Sequence, residues 1–521
     1  MDVFQSIFFG LQTALQPINL FYCFMGVFLG TLVGVLPGLG PAAAIAMLLP
    51  STFHAPPTSG IIMLAGIWYG VMFGGSRTSI LVNVPGEATS IMTCLDGYPM
   101  AIQGRAGPAL GMAAFASFIG GTIAILALTF TGPVLARTAL AFGPAEYFGL
   151  MIMGITVLSF LSSGSMLKCL MMAAVGIILG GVGMDIITGS YRFTFGFMYL
   201  RDGVPLVAVV MGLFGISEVI RDLESEVRGA VIETKIRNLL PTLKDWAASK
   251  WAIVRGTVIG FFLGIIPGGG AIVATFAAYA VEKKVSKHPE RFGHGAIEGV
   301  AAPEAANNAA AAGSFIPLLT LGIPPNPVMA ILLGALMIHG LQPGPLLLRD
   351  APEVFWGTVM SMYIGSIMLT ILNLPLIGLW VKVLKVPYFL LYPLILIFCL
   401  IGSYSVNNNV NDMMTMLIFG VLGYLLKKFG FDAAPLVLAL VLGPMLEESF
   451  RQALITSHGS FMIFVEKPIA LTFLIAAAVF LLIPLVTSRK KISKLEEKII
   501  EKGAEVHRAE AGGQQRTNVE H

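Results

Sequence analysis

Long uncharged stretches recur along the chain: residues 106–136, 355–381, 386–411 and 468–488 are each long enough to cross a bilayer as a helix. Shorter or interrupted apolar segments lie near 60–76, 145–161, 166–184, 204–217, 327–341, 412–426 and 433–446. This pattern predicts an all-α integral membrane protein with about ten to twelve transmembrane helices. The first apolar segment lacks the basic start and small-residue cleavage site of a signal peptide, so it is expected to be retained.

Two apolar stretches are broken by the same motif. Gly30 to Gly40 and Gly260 to Gly270 both read GxxxGxxPGxG, and Ser79 to Pro85 resembles Leu318 to Pro324 at a similar distance downstream. Two motifs in one order indicate a duplicated unit. The run from Gly256 to Val281 is interrupted by Pro267-Gly268-Gly269-Gly270, which predicts a re-entrant hairpin with two arms too short to span.

Charge then sets sidedness. Of the 32 basic residues, seven fall between Arg221 and Arg255, four between Lys283 and Arg291, and eight from Arg489 onward. The positive-inside bias makes all three segments cytoplasmic, whereas no Lys or Arg precedes Arg77. Opposite flanks on equivalent hairpins predict an inverted repeat with a binding site at its interface. The expected divisions are a first membrane repeat over 1–220 with the PGLGP hairpin and a cytoplasmic loop over 221–255. A second repeat with the PGGG hairpin follows over 256–488, and a cytoplasmic tail over 489–521.

Composition agrees with a bilayer as partner. Hydrophobic residues make up 56% of the 521 and charged residues 12%, and a formal charge of +3 leaves no nucleic-acid footprint. Cys23, Cys94, Cys169 and Cys399 stand isolated in apolar stretches and read as small hydrophobes. His339 and His458 lack partners at metal-ligand spacing, and phosphate-loop, HExxH and GxSxG sequences are absent. An enzyme is therefore not expected, nor a cofactor, nor a metal beyond Na⁺.

The polar residues inside apolar surroundings are the candidate chemistry. At the hairpin tips, Pro37, Gly38, Gly40, Pro41, Pro267, Gly268, Gly269 and Gly270 allow sharp turns, and Pro41 suits the first turn of a half-helix. The exposed N–H groups of such half-helices favour an anion such as a carboxylate. Gly30, Gly34, Gly260 and Gly264 fit close helix packing at least as well as a ligand role. Ser76, Arg77 and Asn83 lie in a broken polar stretch, where Arg77 could pair a substrate carboxylate, pair Glu87, or face the aqueous edge. Glu304, Asn307 and Asn308 share one helical face and offer oxygens to a hard cation or a solute. Asn326 joins the substrate candidates and Thr320 the ion candidates. The Asn407–Asp412 cluster reads as a loop or span end, and Asp185 as a turn.

Taken together, these motifs resemble the large membrane subunit of the tripartite tricarboxylate transporters. The likeness rests on Gly34 to Pro41, Gly74 to Gly86, Asp96 to Pro108, Arg192 to Gly196, Pro267 to Gly270, Ala302 to Asn308, Leu319 to Pro324, His339 to Pro345 and Leu442 to Met445. The resemblance implies a secondary-active importer of di- or tricarboxylates in the bacterial cytoplasmic (inner) membrane, driven by Na⁺ or H⁺. It also implies two partners, a small membrane subunit of about four helices and an extracytoplasmic solute-binding protein. Pro325-Asn326-Pro327 and Arg77 depart from the pattern of many members, so citrate itself is not implied. The rival expectations are a free-standing carrier or channel and a non-transporting membrane scaffold.

Overall fold

The computed structural model describes residues 3–36, 40–161, 165–224, 238–268, 270–383 and 388–483. Pro37, Gly38 and Gly269, residues 225–237 and the expected tail at 489–521 lie outside the described residues.

The first half runs α1 (Val3–Ala14), α2 (Pro17–Val35), α3 (Pro41–Leu48), α4 (Pro57–Val82), α5 (Ile91–Met100), α6 (Ala106–Ala139), α7 (Pro144–Leu161), α8 (Met166–Gly180), α9 (Leu206–Val210) and α10 (Ser217–Glu224). The second runs α11 (Leu243–Ile265), α12 (Gly270–Val285), α13 (Glu298–Gly313), α14 (Phe315–Leu321), α15 (Pro327–Ile338), α16 (Leu347–Asp350) and α17 (Pro352–Asn373). It ends with α18 (Ile377–Val383), α19 (Tyr388–Asn407), α20 (Val410–Lys428), α21 (Ala434–Thr456), α22 (Ile463–Glu466) and α23 (Pro468–Ile483). Many begin on proline, whose missing N–H costs nothing in a first turn. The one sheet among the described residues is a two-residue antiparallel pairing of Gly183–Met184 with Tyr191–Arg192.

Six helices are long and apolar enough to cross a membrane, and six shorter apolar helices accompany them among the described residues. The chain is an all-α, multi-pass membrane protein. Its helices turn large apolar side chains such as Phe130, Phe262, Ile371 and Ile418 outward. The most apolar window of α4 is 94% buried against 22% for that of α20, which makes α4 the central helix and α20 peripheral.

Two helix pairs share one construction. A Cβ on Gly26, Gly30 or Gly34 of α2 would collide with the carbonyl oxygen of Met63, Ile67 or Val71 on α4. A Cβ on Gly256, Gly260 or Gly264 of α11 would collide in the same way with Ala302, Ala306 or Ala310 of α13. These glycines therefore serve close backbone packing. The correspondence extends downstream. Asn83 ends α4 and Gly322 ends α14, both in the left-handed region, at φ 57° and 71°. Four residues later Glu87 and Asn326 cap the next helices from extended backbone, accepting from Thr89 N at 2.7 Å and Met329 N at 3.0 Å.

The first arm of the second hairpin is longer than the uncharged run predicts. Helix α11 starts at Leu243 because Thr242 and Asp245 form a capping box, and it carries Lys244, Asp245, Lys250 and Arg255 before the apolar part. At 23 residues it is long enough to cross. Arg255 reaches Glu282 on α12 through two hydrogen bonds of 2.7 and 2.8 Å, which ties the arms at their basic ends.

A buried carboxylate braces the two halves. Asp96 Oδ1 on α5 accepts from the backbone N–H of Gly293, Gly295 and Ala296 at 2.8–2.9 Å, and its Oδ2 accepts from Tyr279 Oη at 2.9 Å. The turn that leads into α13 is thereby fixed to α5.

Candidate functional site

The central pair of helices, α4 and α13, carries the polar residues. On α13 the Ala-rich sequence lets neighbouring backbones come close, and Gly120 of α6 packs against the carbonyl of Ala305. Glu304, Asn307 and Asn308 lie on one face, each no more than 2% exposed. Glu304 Oε1 accepts from Thr93 Oγ1 at 2.6 Å and Oε2 from Ser117 Oγ at 3.0 Å. Thr93 sits one turn before Asp96 on α5, and Ser117 one turn before Gly120 on α6, so the contacts that dock α5 and α6 also deliver these hydroxyls.

Arg77 of α4 is 2% exposed and donates from Nη1 to Ser76 Oγ at 3.3 Å. Its guanidinium lies 5.8 Å over the Phe73 ring, and its charge acts on Glu304. Among the described residues it forms no ion pair with Glu87 or any other carboxylate within 4.0 Å, and it does not face an aqueous edge.

Asn307 Nδ2 points to Met72 O at 3.5 Å, and its Oδ1 is buried without a hydrogen-bond partner. Asn308 Nδ2 donates back to Glu304 O at 3.2 Å. Glu87 is 5% exposed; Oε2 accepts from Thr89 N, and Oε1 lies very close to Thr89 Oγ1.

The structure thus brings together Ser76, Arg77, Glu304 and Asn307, with Asn308 alongside, and adds Glu87, Thr89, Thr93 and Ser117. Glu87 was read only as a partner for Arg77, and Thr89, Thr93 and Ser117 were missed. Glu87-Ala-Thr-Ser90 carries a helix-start signal, since both halves of a capping box form there, but Thr93 and Ser117 are lone hydroxyls in apolar runs.

Other candidates are occupied elsewhere. Asn83 is an exposed helix end, Asn326 is a cap, and Thr320 Oγ1 donates to Ile316 O at 2.6 Å. Gly40 is extended, with open space where a Cβ would stand, and Pro41 opens α3. In the second copy Pro267 is buried, Gly268 and Gly270 have φ of 78° and 53°, and Gly268 N donates to Pro325 O at 2.9 Å. That bond ties the second hairpin tip to the break between α14 and α15.

Away from this centre, Asn409 caps α20 and Asn407 Nδ2 donates to Asp412 at 2.8 Å, a span-end arrangement. Asp185 Oδ1 accepts from Ile187 N at 2.9 Å in a turn, and Oδ2 pairs with Arg451 at 2.7 Å, while Arg192 grips Glu447 at 2.8 and 3.1 Å. No group of three metal-ligating side chains occurs among the described residues.

Residues 20–438 match the family described as "Tripartite tricarboxylate transporter TctA family". An uncharacterised 52.8 kDa protein in the TAR-I ttuC′ 3′ region of Agrobacterium vitis is 51% identical over 500 residues, covering 95% of this chain and 100% of that protein. An uncharacterised protein in the TAR-II ttuC′ 3′ region of the same organism is 53% identical over 234 residues, 44% of this chain and 97% of that protein. No solved structure matches.

Proposed function

Because the chain belongs to the TctA family of tripartite tricarboxylate transporters, a transporter family and not an enzymatic one, we propose that it imports organic carboxylates by secondary-active transport. It acts as the large membrane subunit, working with a small subunit of about four helices and an extracytoplasmic binding protein. The energy comes from a gradient of Na⁺ or H⁺, and the cargo is of the di- or tricarboxylate class.

One observation carries this reading: Arg77 is a cation on a central membrane helix, 2% exposed, with no carboxylate in ion-pair distance among the described residues. A buried guanidinium costs several kcal/mol unless compensated, and a substrate carboxylate supplies the bidentate partner its fork is shaped for. Glu304, Asn307 and Asn308 stand beside it as coupling-ion ligands. The glycine hairpins around Pro37 to Pro41 and Pro267 to Gly270 close on the anion, and one repeat-derived unit, inverted relative to the other, moves against a scaffold.

The proposed seat is the bacterial cytoplasmic membrane with the C-terminus in the cytoplasm. Lys427 and Lys428 at the end of α20 pair with Glu218 and Glu224 of α10, next to the basic segment that begins at Arg221. Such a concentration of basic residues at one end of neighbouring helices supports a cytoplasmic side there.

The test is carboxylate uptake by vesicles holding this chain with its small subunit and binding protein under an imposed ion gradient. Uptake should be lost in Arg77→Leu while the protein still inserts and assembles. Undiminished uptake by that variant, or the same uptake by the chain alone, would sink the proposal.

A further inference from the structure

We propose that the loop 191–199 is an interfacial anchor, its aromatic side chains seated at the headgroup–acyl boundary of the leaflet opposite the Lys427–Lys428 end of the helices. The inference goes beyond the transport reading and does not depend on it. It gives a role to Arg192-Phe-Thr-Phe-Gly196, a motif that the central site leaves unused.

The loop presents an apolar surface. Phe193, Phe195, Phe197 and Met198 are 54, 81, 58 and 74% exposed, Tyr191 and Tyr199 are exposed as well, and no charged residue lies between Arg192 and Arg201. Phe193 and Phe195 hold left-handed backbone, at φ 53° and 49°, which bulky residues rarely adopt, so the rings stay outward against a local cost. The polar side chains next to them are engaged elsewhere. Arg192 grips Glu447 on α21, Asp185 pairs with Arg451, and the Arg201 guanidinium lies 5.0 Å over the Tyr191 ring. Aromatic rings flanked by a cation are what membrane interfaces collect.

Helix lengths place this surface at interfacial depth. Lys168, near the start of α8, donates to Phe429 O at 2.6 Å, next to Lys427 and Lys428. Helix α21 runs alongside α8 in the same direction, since Gly176 meets the carbonyl of Leu436 and Gly180 that of Leu440. From Lys168 to Gly180 the rise is about 18 Å, and from Ala434 to Glu447 about 20 Å. The chain returns through the helical stretch from Leu206 to Glu224, about 27 Å long, whose Glu224 pairs with Lys428. The loop is thus held about 20 to 27 Å from the lysine end, where a hydrocarbon layer of about 30 Å approaches its far boundary.

The loop also continues a lipid-facing stripe. Leu167, Met171, Val175 and Ile178 are exposed along one side of α8, and the Phe193 ring comes within 4.0 Å of where a Cβ on Gly181 would stand, at the end of that helix. A soluble partner that comes and goes would leave these rings in water for part of each cycle, and the uncharged segment offers it no field to steer by. Lipid covers them throughout.

The experiment uses the full-length chain with an NBD fluorophore on Phe195→Cys or, separately, on Met198→Cys, both at exposed positions; the four native cysteines are buried, and the unsubstituted chain treated alike gives the background. Each is reconstituted into vesicles of phosphatidylcholine and phosphatidylglycerol carrying a nitroxide either near the headgroup or deep in the acyl chain. NBD emission should be blue-shifted relative to the same label on Lys287→Cys, in the exposed basic segment, and should be quenched more by the shallow nitroxide than by the deep one. Water-like emission without lipid quenching at both positions would overturn the inference, as would stronger quenching by the deep nitroxide. Emission that turns blue only when the solute-binding protein is added would overturn it too and assign the surface to that protein.

Discussion

Thr93 on α5 donates a 2.6 Å hydrogen bond to Glu304 Oε1 on α13, across a sequence separation of 211 residues. Together with Ser117 on the opposite oxygen, it fixes the carboxylate that shares the centre with Arg77. Glu304→Gln keeps the shape and one acceptor but removes the charge. With Glu304 proposed as a ligand of the coupling ion, loss of a charge-assisted contact worth about 1.5–3 kcal/mol should lower the affinity for that ion about tenfold or more. Uptake titrated against the ion concentration, with expression of the variant verified in membranes, reads this directly.

Arg77→Lys tests the fork. Lysine retains the charge but offers a point donor instead of a bidentate pair. The apparent KM for carboxylate should rise at least about tenfold on losing one charge-assisted bond. A KM unchanged in Arg77→Lys would place the guanidinium outside the substrate path.

Much of this was legible in advance and some could not be. The duplicated glycine motif announced two similar helix pairs, and the spacing of Glu304, Asn307 and Asn308 announced a shared face, because both follow from local periodicity. The start of α11 was hidden because an uncharged run marks apolarity rather than helix, and the Thr242–Asp245 box extends the helix into charged sequence. Thr93 and Ser117 were invisible for a different reason. Their role depends on which hydroxyls the docking of α5 and α6 brings to Glu304, and that is decided by contacts far apart in the chain.

The Asp96 brace predicts a stability effect separate from transport. Asp96→Ala removes the acceptor of three backbone N–H groups and of Tyr279 Oη. Breaking such a buried charged network costs about 3–5 kcal/mol, whereas Tyr279→Phe removes one bond at about 1 kcal/mol. Thermal unfolding in detergent should show the large drop for the first and a small one for the second.

The glycines divide into two kinds. Gly260→Ala places a Cβ against the Ala306 carbonyl, an overpacking that costs about 1–3 kcal/mol. Gly40→Ala meets open space at φ −68° and should leave stability unchanged. Gly268→Val forces a β-branched residue to φ 78°, so it should abolish uptake while the protein still inserts. Full uptake by Gly268→Val would remove the second hairpin tip from the mechanism.

The loop after α8 gives a pH prediction. The Arg451 guanidinium, chiefly, holds the Asp185 carboxyl well below its ordinary value of 3.8. A depressed carboxylate contributes its stabilisation above the unfolded value, and that contribution is lost as pH falls through the lower, folded value. Attachment of the Gly183–Arg192 hairpin to α21 should therefore stay constant from pH 8 down to about 5 and weaken only in stronger acid. Asp185→Asn should loosen the hairpin across the whole range, because its amide cannot replace the charge that Arg451 pairs with. Limited proteolysis of the hairpin at a series of pH values, with an acid-stable protease for the low range, distinguishes these outcomes. Cleavage that changes between pH 8 and 6 in the unsubstituted protein would show that another group governs the attachment.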